Sequence, residues 1–346
     1  MHAVNATTHP VPPFLEVRNV KKSFGGVKAL KDVSLTIEAG QIYHLMGENG
    51  CGKSTLIKIL SGAQPADEGQ ILIDGEVIGS RAGDLGAIGA LRAGIETVYQ
   101  DLSLLPNLSV AENVAFTEQL VEASGRLARR LNVSLLNETA RRALAEVHLP
   151  TDKAFLSRRT DTLPLATRQL IAIARAVASE ARLVIMDEPT TSLTRQEVEN
   201  LLHVVERLRN KGVAVLFVTH KLDECKLLGG RAIIMRDGLK VAELDVAGHS
   251  KAEFSHWMTG REISQTRYRT EPKLGEVMLE VEKLGDGEAF QDFSFSLRKG
   301  EMLGVTGLLD SGRNELALAL AAVKPATNGK VRLNGREIAP QSTAQA

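Results

Sequence analysis

Residues 47–55 read GENGCGKST, and the reading of this stretch decides the fold. It follows QIYHLM (41–46), an apolar run of strand length, and leads into STLIKILSG (54–62), whose apolar residues recur at helical spacing with Gly62 near the end. The pattern is G-x-x-x-x-G-K-[ST] between a strand and a helix. There the glycines let backbone N–H groups curl around phosphate oxygens, and the helix presents the positive end of its dipole to the same anion. Lys53 then reaches the β- and γ-phosphates, and the Ser54 hydroxyl is placed for Mg²⁺. Gly47, Glu48, Asn49, Gly50, Cys51, Gly52, Lys53, Ser54 and Thr55 are the candidate nucleotide contacts. Because Cys51 lies inside the loop, alkylation of its thiol is expected to block nucleotide binding.

Composition is consistent with an α/β protein of this kind. The chain has 346 residues, 43% of them hydrophobic, enough for one large domain and part of another. Its 42 basic and 42 acidic residues cancel, so no global field points to nucleic acid or an anionic membrane. Cys51 and Cys225 are the two cysteines, and their spacing suggests neither a metal site nor a disulfide framework, as in a reducing cytosol. No stretch reaches the roughly 18 apolar residues of a membrane-spanning helix, so any membrane role is expected to need a partner.

The sequence repeats itself. DVSLTIEAGQ from Asp32 aligns with DFSFSLRKGE from Asp292, and the same offset of 260 carries Gly47 onto Gly307, Gly52 onto Gly312 and Gly75 onto Gly335. At that offset the second copy would end roughly 170 to 180 residues past Ala346, so the chain reads as a tandem protein with its second copy truncated. Within the first copy, GQILIDGEVI (69–78) predicts a hairpin turning at Asp74-Gly75. SVAE (109–112), TRQE (194–197) and SKAE (250–253) are capping-box patterns that mark helix starts. The expected organisation is a first domain over 14–258 with a helical subdomain inserted at about 101–180, a charged linker over 259–276 and the start of a second domain over 277–346.

Two further apolar runs, LVIMDEP (183–189) and VAVLFVTH (213–220), end in polar residues, as parallel strands do when their C-terminal ends carry a site. Asp187 would hold a hydrated metal and Glu188 would accept a proton from an attacking water. His220 is either a satisfied buried histidine or a group that touches the γ-phosphate and orients the water.

These motifs, in this order, resemble the nucleotide-binding subunit of ATP-binding cassette (ABC) transporters. The resemblance implies a P-loop NTPase cassette with a mixed sheet core, an antiparallel β subdomain and an inserted helical subdomain, plus the start of a second cassette. It implies further that Gln100 of TVYQ is the glutamine that touches Mg²⁺ and senses the membrane partner, and that His220 is the switch histidine. Thr191 to Thr194 would be the loop that follows the acidic pair, and Phe24 would stack on adenine, although by itself Phe24 reads as core packing.

The family's signature, normally LSGGQ, is here LPLAT: Leu163, Pro164, Leu165, Ala166 and Thr167. Pro164 offers neither the hydroxyl nor the N–H of the serine it replaces, and Leu165 and Ala166 replace glycines that let a loop approach closely; the helix RQLIAIARAVA (168–178) follows that loop. In a head-to-tail dimer of cassettes this weak signature would face GLLDSGRNE (307–315), where Arg313 replaces the lysine and Asn314 the Mg²⁺-binding hydroxyl. That pairing resembles the monosaccharide-import branch, with ribose, galactose and xylose importers.

The implied function is an ATPase that uses ATP and Mg²⁺, is weak alone, and powers sugar import. It would sit peripherally on the cytoplasmic face of the inner membrane with transmembrane permease subunits, a periplasmic or extracellular sugar-binding protein and a second cassette in cis or trans, and it would bind no nucleic acid. The alternatives are a soluble tandem ATPase acting on ribosomes or DNA, and a truncated form that binds ATP with little turnover.

Overall fold

A computed structural model describes residues 13–78, 85–123, 132–191, 193–261, 273–307, 311–339 and 343–344. The chain divides into two compact units, Met1–Ile263 and Ser264–Ala346.

The first unit begins with a hairpin, β1 (Leu15–Phe24) and β2 (Val27–Ile37), followed by β3 (Ile42–Met46) and α1 (Lys53–Leu60). A second hairpin, β4 (Glu68–Ile73) and β5 (Glu76–Val77), turns at Asp74-Gly75 with both φ angles positive, as its Asp-Gly pair predicts. Next come α2 (Ala87–Arg92) and β6 (Ile95–Val98), and then four helices: α3 (Val110–Ala123), α4 (Val133–Glu146), α5 (Lys153–Leu156) and α6 (Leu165–Ala178). The chain returns through β7 (Leu183–Asp187), α7 (Arg195–Asn210), β8 (Ala214–Val218), α8 (Leu222–Leu228), β9 (Arg231–Arg236), β10 (Leu239–Asp245) and α9 (Lys251–Thr259).

The ten strands form one sheet of order β5-β4-β1-β2-β10-β9-β3-β8-β7-β6. The β5-to-β2 end is antiparallel, while β9, β3, β8, β7 and β6 run parallel. The parallel strands are continuous apolar runs because both faces are covered. Tyr43, Leu45, Ile185 and Leu216 pack on one side with Leu56 and Ile57 of α1. Ile42, Val184, Met186 and Phe217 pack on the other with α3, α4, α6 and α7. This is the mixed sheet with an antiparallel end and an inserted helical layer that the resemblance implied.

The three predicted capping boxes form. Ser109, Thr194 and Ser250 each accept from the backbone N–H of the glutamate three residues on, and each glutamate accepts the N–H of its capping residue. Each such cap is worth about 1 kcal/mol.

The second unit contains β11 (Val277–Gly285), β12 (Phe293–Arg298), α10 (Arg313–Leu320), β13 (Asn328–Leu333) and β14 (Arg336–Ile338). Its sheet order, β12-β11-β13-β14, copies β2-β1-β4-β5. The pairs Leu279↔Leu333 and Val281↔Val331 correspond to Leu15↔Ile73 and Val17↔Ile71. Leu15 therefore matches Leu279, an offset of 264, whereas Gly52 matches Gly312, an offset of 260. The hairpin of the second unit is four residues shorter, and the tip that carries Phe24 in the first unit is what it lacks. Residues 302–306, the counterpart of β3 at an offset of 260, form no strand, and Met302 is 89% exposed. Most of the expected linker, 262–272, lies outside the described residues.

Within β3, His44 is fully buried against Phe217; its Nε2 lies 2.7 Å from the Gly229 carbonyl and its Nδ1 has no partner. Burial disfavours the imidazolium and lowers the pKa from 6.5 to about 4. Below pH 6.5 the unfolded chain takes up a proton that the folded chain refuses. Stability is therefore fully present above that pH and falls until pH 4, by on the order of 3 kcal/mol. Thermal melts at stepped pH are expected to show this fall in the parent chain and a shallower one in His44→Gln; equal slopes would remove His44 as the source.

Candidate functional site

The loop between β3 and α1 is shaped by two glycines. Gly47 has φ 151°, and a Cβ there would lie 2.3 Å from the Met235 carbonyl oxygen and 2.5 Å from the Cys51 sulfur. Gly52, at φ 107°, is the N-cap of α1, and its Cβ would meet the Ala29 carbonyl at 2.6 Å. Glu48, Asn49 and Gly50 are exposed at the rim, while Cys51 and Lys53 are buried. The Lys53 ammonium turns back into the loop and donates to the carbonyls of Gly47 at 2.7 Å and Glu48 at 3.0 Å. Ser54 is exposed and Thr55 half-buried in the first turn of α1, where backbone N–H groups lack intrahelical acceptors.

Sheet order places the other candidates. Strand β8 lies between β3 and β7, so the loop after β3 and the ends of β8 and β7 open on one edge. Asp187 ends β7. Burial, followed by the neighbouring Glu188 charge, raises its pKa, and the Lys53 charge opposes the rise. Glu188 has a left-handed φ of 47° and donates its N–H to the Val218 carbonyl at 3.0 Å. His220 follows β8 with its Nδ1 3.5 Å from Glu188 Oε1 and its side chain 57% exposed. Of the two readings left open for His220, the buried one is excluded; the buried histidine of the core is His44.

Phe24 ends β1 and is 45% exposed, with Lys22 Nζ 5.7 Å from its ring centre, so it is not core packing. Gln100 is exposed just after β6. Its neighbour Tyr99 donates to the Ser61 hydroxyl at 2.7 Å, which ties that turn to the end of α1. Arg175 of α6 pairs with Glu96 at 2.9 Å and donates to the Ser103 carbonyl at 3.0 Å, so one guanidinium spans the turn that carries Gln100.

The signature residues are arranged differently from expectation. Leu163 is buried, Pro164 is the exposed N-cap of α6 with no side-chain cap bond, and Leu165, Ala166 and Thr167 form the first helical turn. A loop up to Thr167 with a helix from Arg168 was expected. Pro164 costs nothing at a position that needs no donor, and Leu and Ala favour the helix, so it starts three residues earlier. Of the loop after the acidic pair, Thr191 donates to Glu188 Oε2 at 3.3 Å, Thr194 caps α7, and position 192 lies outside the described residues.

In the second unit the Arg313 guanidinium donates to the Gly307 carbonyl at 3.2 Å, the counterpart of the Lys53 bond to Gly47. Residues 308–310 of that loop lie outside the described residues.

Sequence reasoning missed a buried group beside His220. Glu224 of α8 accepts from the hydroxyls of Thr190 and Thr219, and only folding could bring Thr190, 34 residues away, to it.

A Gly-rich loop between a parallel strand and a helix, with paired carboxylates at the end of a neighbouring strand, defines the class: a phosphate-loop nucleotide-binding α/β protein. Residues 30–191 match the family described as ABC transporter, and the first unit has the fold of an ATP-binding cassette.

The chain is 39% identical to the ribose import ATP-binding protein RbsA of Clostridium perfringens, over 94% of this chain and 63% of that protein. It is 41% identical to the ribose import ATP-binding protein RbsA 1 of Rubrobacter xylanophilus, over 94% and 63%. With a putative ribose/galactose/methyl galactoside import ATP-binding protein of Burkholderia lata it shares 38%, over 96% and 61%. The chain thus spans about three fifths of the length of these curated relatives. Among solved structures, the ATP-binding cassette MJ0796, in a dimeric post-hydrolysis state bound to ADP and Pi, matches with a TM-score of 0.57. It is 26% identical, over 68% of this chain and all of that one.

The structure limits how readily Cys51 is alkylated. Burial raises the pKa of its thiol despite the nearby Lys53 charge, so little thiolate forms at neutral pH. Iodoacetamide at pH 7 is expected to label native Cys51 about tenfold or more slowly than the urea-unfolded chain, read by peptide mass spectrometry; equal rates would mean that the loop opens freely.

Proposed function

We propose that this chain is the ATP-hydrolysing part of a sugar importer, with Gly47 to Thr55 holding the nucleotide phosphates. The observation that carries this reading is the convergence of the loop after β3, the acidic pair at the end of β7 and His220 after β8 on one sheet edge, with His220 3.5 Å from Glu188. Lys53 transfers its donors from loop carbonyls to phosphate oxygens when nucleotide enters, and the exposed Phe24 ring stacks on the base. Glu188 takes the proton of the attacking water, and His220, 3.5 Å from Glu188, orients that water.

Ser54, Gln100 and Asp187 offer a hydroxyl, an amide oxygen and a carboxylate, the hard oxygen donors that suit Mg²⁺, and the neighbouring Glu188 adds negative charge beside Asp187. Bound there, Mg²⁺ would supply charge neutralisation on the transferring phosphoryl group.

The substrate class rests on relatives named for ribose and galactoside import, which also disfavour a ribosomal or DNA role. In this reading the chain works peripherally at the membrane with permease subunits and a sugar-binding protein; no helix among the described residues is long and apolar enough to cross a membrane. Residues 14–258 form the working cassette, with its helical subdomain at about 101–180; 259–276 link it to a degenerate second copy over 277–346. In that copy Arg313 stands in place of the lysine and bonds the Gly307 carbonyl, and the aromatic hairpin tip is missing.

Glu188→Gln is expected to keep ATP affinity within about twofold while hydrolysis by the assembled complex drops about a hundredfold or more. Lys53→Ala should instead weaken nucleotide binding itself. Equilibrium binding of a fluorescent ATP analogue and phosphate release check both, and undiminished turnover in Glu188→Gln would remove Glu188 as the base.

A further inference from the structure

Beyond the last paired residues of β7 and β8, Asp187 and Val218, the two chains carry Glu188 and His220 away from the sheet. A buried polar cluster bridges them there. Glu224, on the first turn of α8, has its Oε2 2.8 Å from the Thr190 hydroxyl and 3.3 Å from the Thr219 hydroxyl, and its Oε1 3.3 Å from Lys221 Nζ. Lys221 Nζ crosses the same gap to the Thr190 carbonyl at 2.9 Å and hydroxyl at 3.2 Å. Thr190 and Thr219 are 1% and 3% exposed, and Glu224 is 6% exposed.

We propose that Glu224 is a positioning residue that clamps the segment after Glu188 to the segment before His220, so that the two side chains keep their approach whatever occupies the site. Three features carry this. The clamp lands two residues after Glu188 and one residue before His220, on the backbone that aims each of them. Glu188 holds a left-handed φ that a non-glycine residue keeps only when its surroundings enforce it. The His220 ring is mostly exposed while Thr219 beside it is buried, which leaves the exposed ring on a fixed base. A buried carboxylate that accepts two hydroxyls and faces an ammonium is also costly to leave half-paired, so the cluster holds or releases as a unit.

The proposal builds on the hydrolytic reading of Glu188 and His220, and its test has one arm that does not need that reading. In hydrogen–deuterium exchange on the intact chain, Glu224→Gln is expected to speed exchange of residues 188–191 and 219–222 together by about fivefold, with 47–55 unchanged. Faster exchange confined to 222–228, or none at all, would overturn the clamp even if the chain hydrolyses no ATP. In the assembled complex the same variant is expected to lower kcat about tenfold while leaving KM for ATP within about twofold, and to add less than about twofold in a His220→Ala background. Losses that multiply there would show that Glu224 does not act through His220. Thr190→Val, close in volume and lacking the two hydroxyl bonds of Thr190 to Glu224 and Lys221, should show the same pattern at about a third of the size, and it decides the matter if Glu224→Gln does not fold.

Discussion

The site depends on the bond from the Lys53 ammonium to the Gly47 carbonyl, 2.7 Å long and buried under the loop that it closes. A lysine in that position needs a backbone that exposes carbonyls inward and N–H groups toward the opening, and L-residues adopt that shape poorly. Gly47 and Gly52 are therefore fixed by contact as well as by φ, since the Met235 and Ala29 carbonyls occupy the space that side chains would need. Strand β3 and helix α1 supply the rest of the constraint, because both are pinned by the fully buried Leu45, Leu56 and Ile57. The second unit keeps the same bond, with a guanidinium in place of the ammonium. That bond thus survives there without the flexible point charge that could leave it for a phosphate.

Parallel pairing turns that local closure into a site. With β8 seated between β3 and β7, three segments distant in sequence end within reach of one another, and each brings a different chemical group. The acidic pair is split by environment. Asp187 is still on the strand and partly desolvated, while Glu188 turns out through a left-handed residue toward His220. Two adjacent carboxylates therefore meet opposite demands, one beside the phosphate loop and one facing the imidazole.

Much of this was legible in the sequence, and the exceptions have physical reasons. The phosphate loop, the hairpin at Asp74-Gly75 and the capping boxes were readable because each is decided by residues within a few positions of one another. The start of α6 was misplaced because Pro164 was read by what it cannot donate, whereas an N-cap needs only an extended ψ and a carbonyl. Phe24 and His220 were ambiguous for a different reason: nothing in KKSFGG or VAVLFVTH tells which residue will be covered on both faces. The Thr190, Thr219 and Glu224 cluster was invisible because its members share no motif and meet only through the pairing of β7 with β8. The shortened hairpin of the second unit required register, since the repeat aligns without a gap only from Asp32 onward.

The unpaired stretch of the second unit has a practical side. Met302, Leu303 and Val305 are 89%, 47% and 48% exposed in a segment that forms no strand, within a unit whose buried core contains only a few apolar residues. Extended apolar backbone with open hydrogen-bonding groups is the surface on which chains stick to one another. In this polypeptide those exposed side chains, rather than the well-packed first unit, are where association between copies would start.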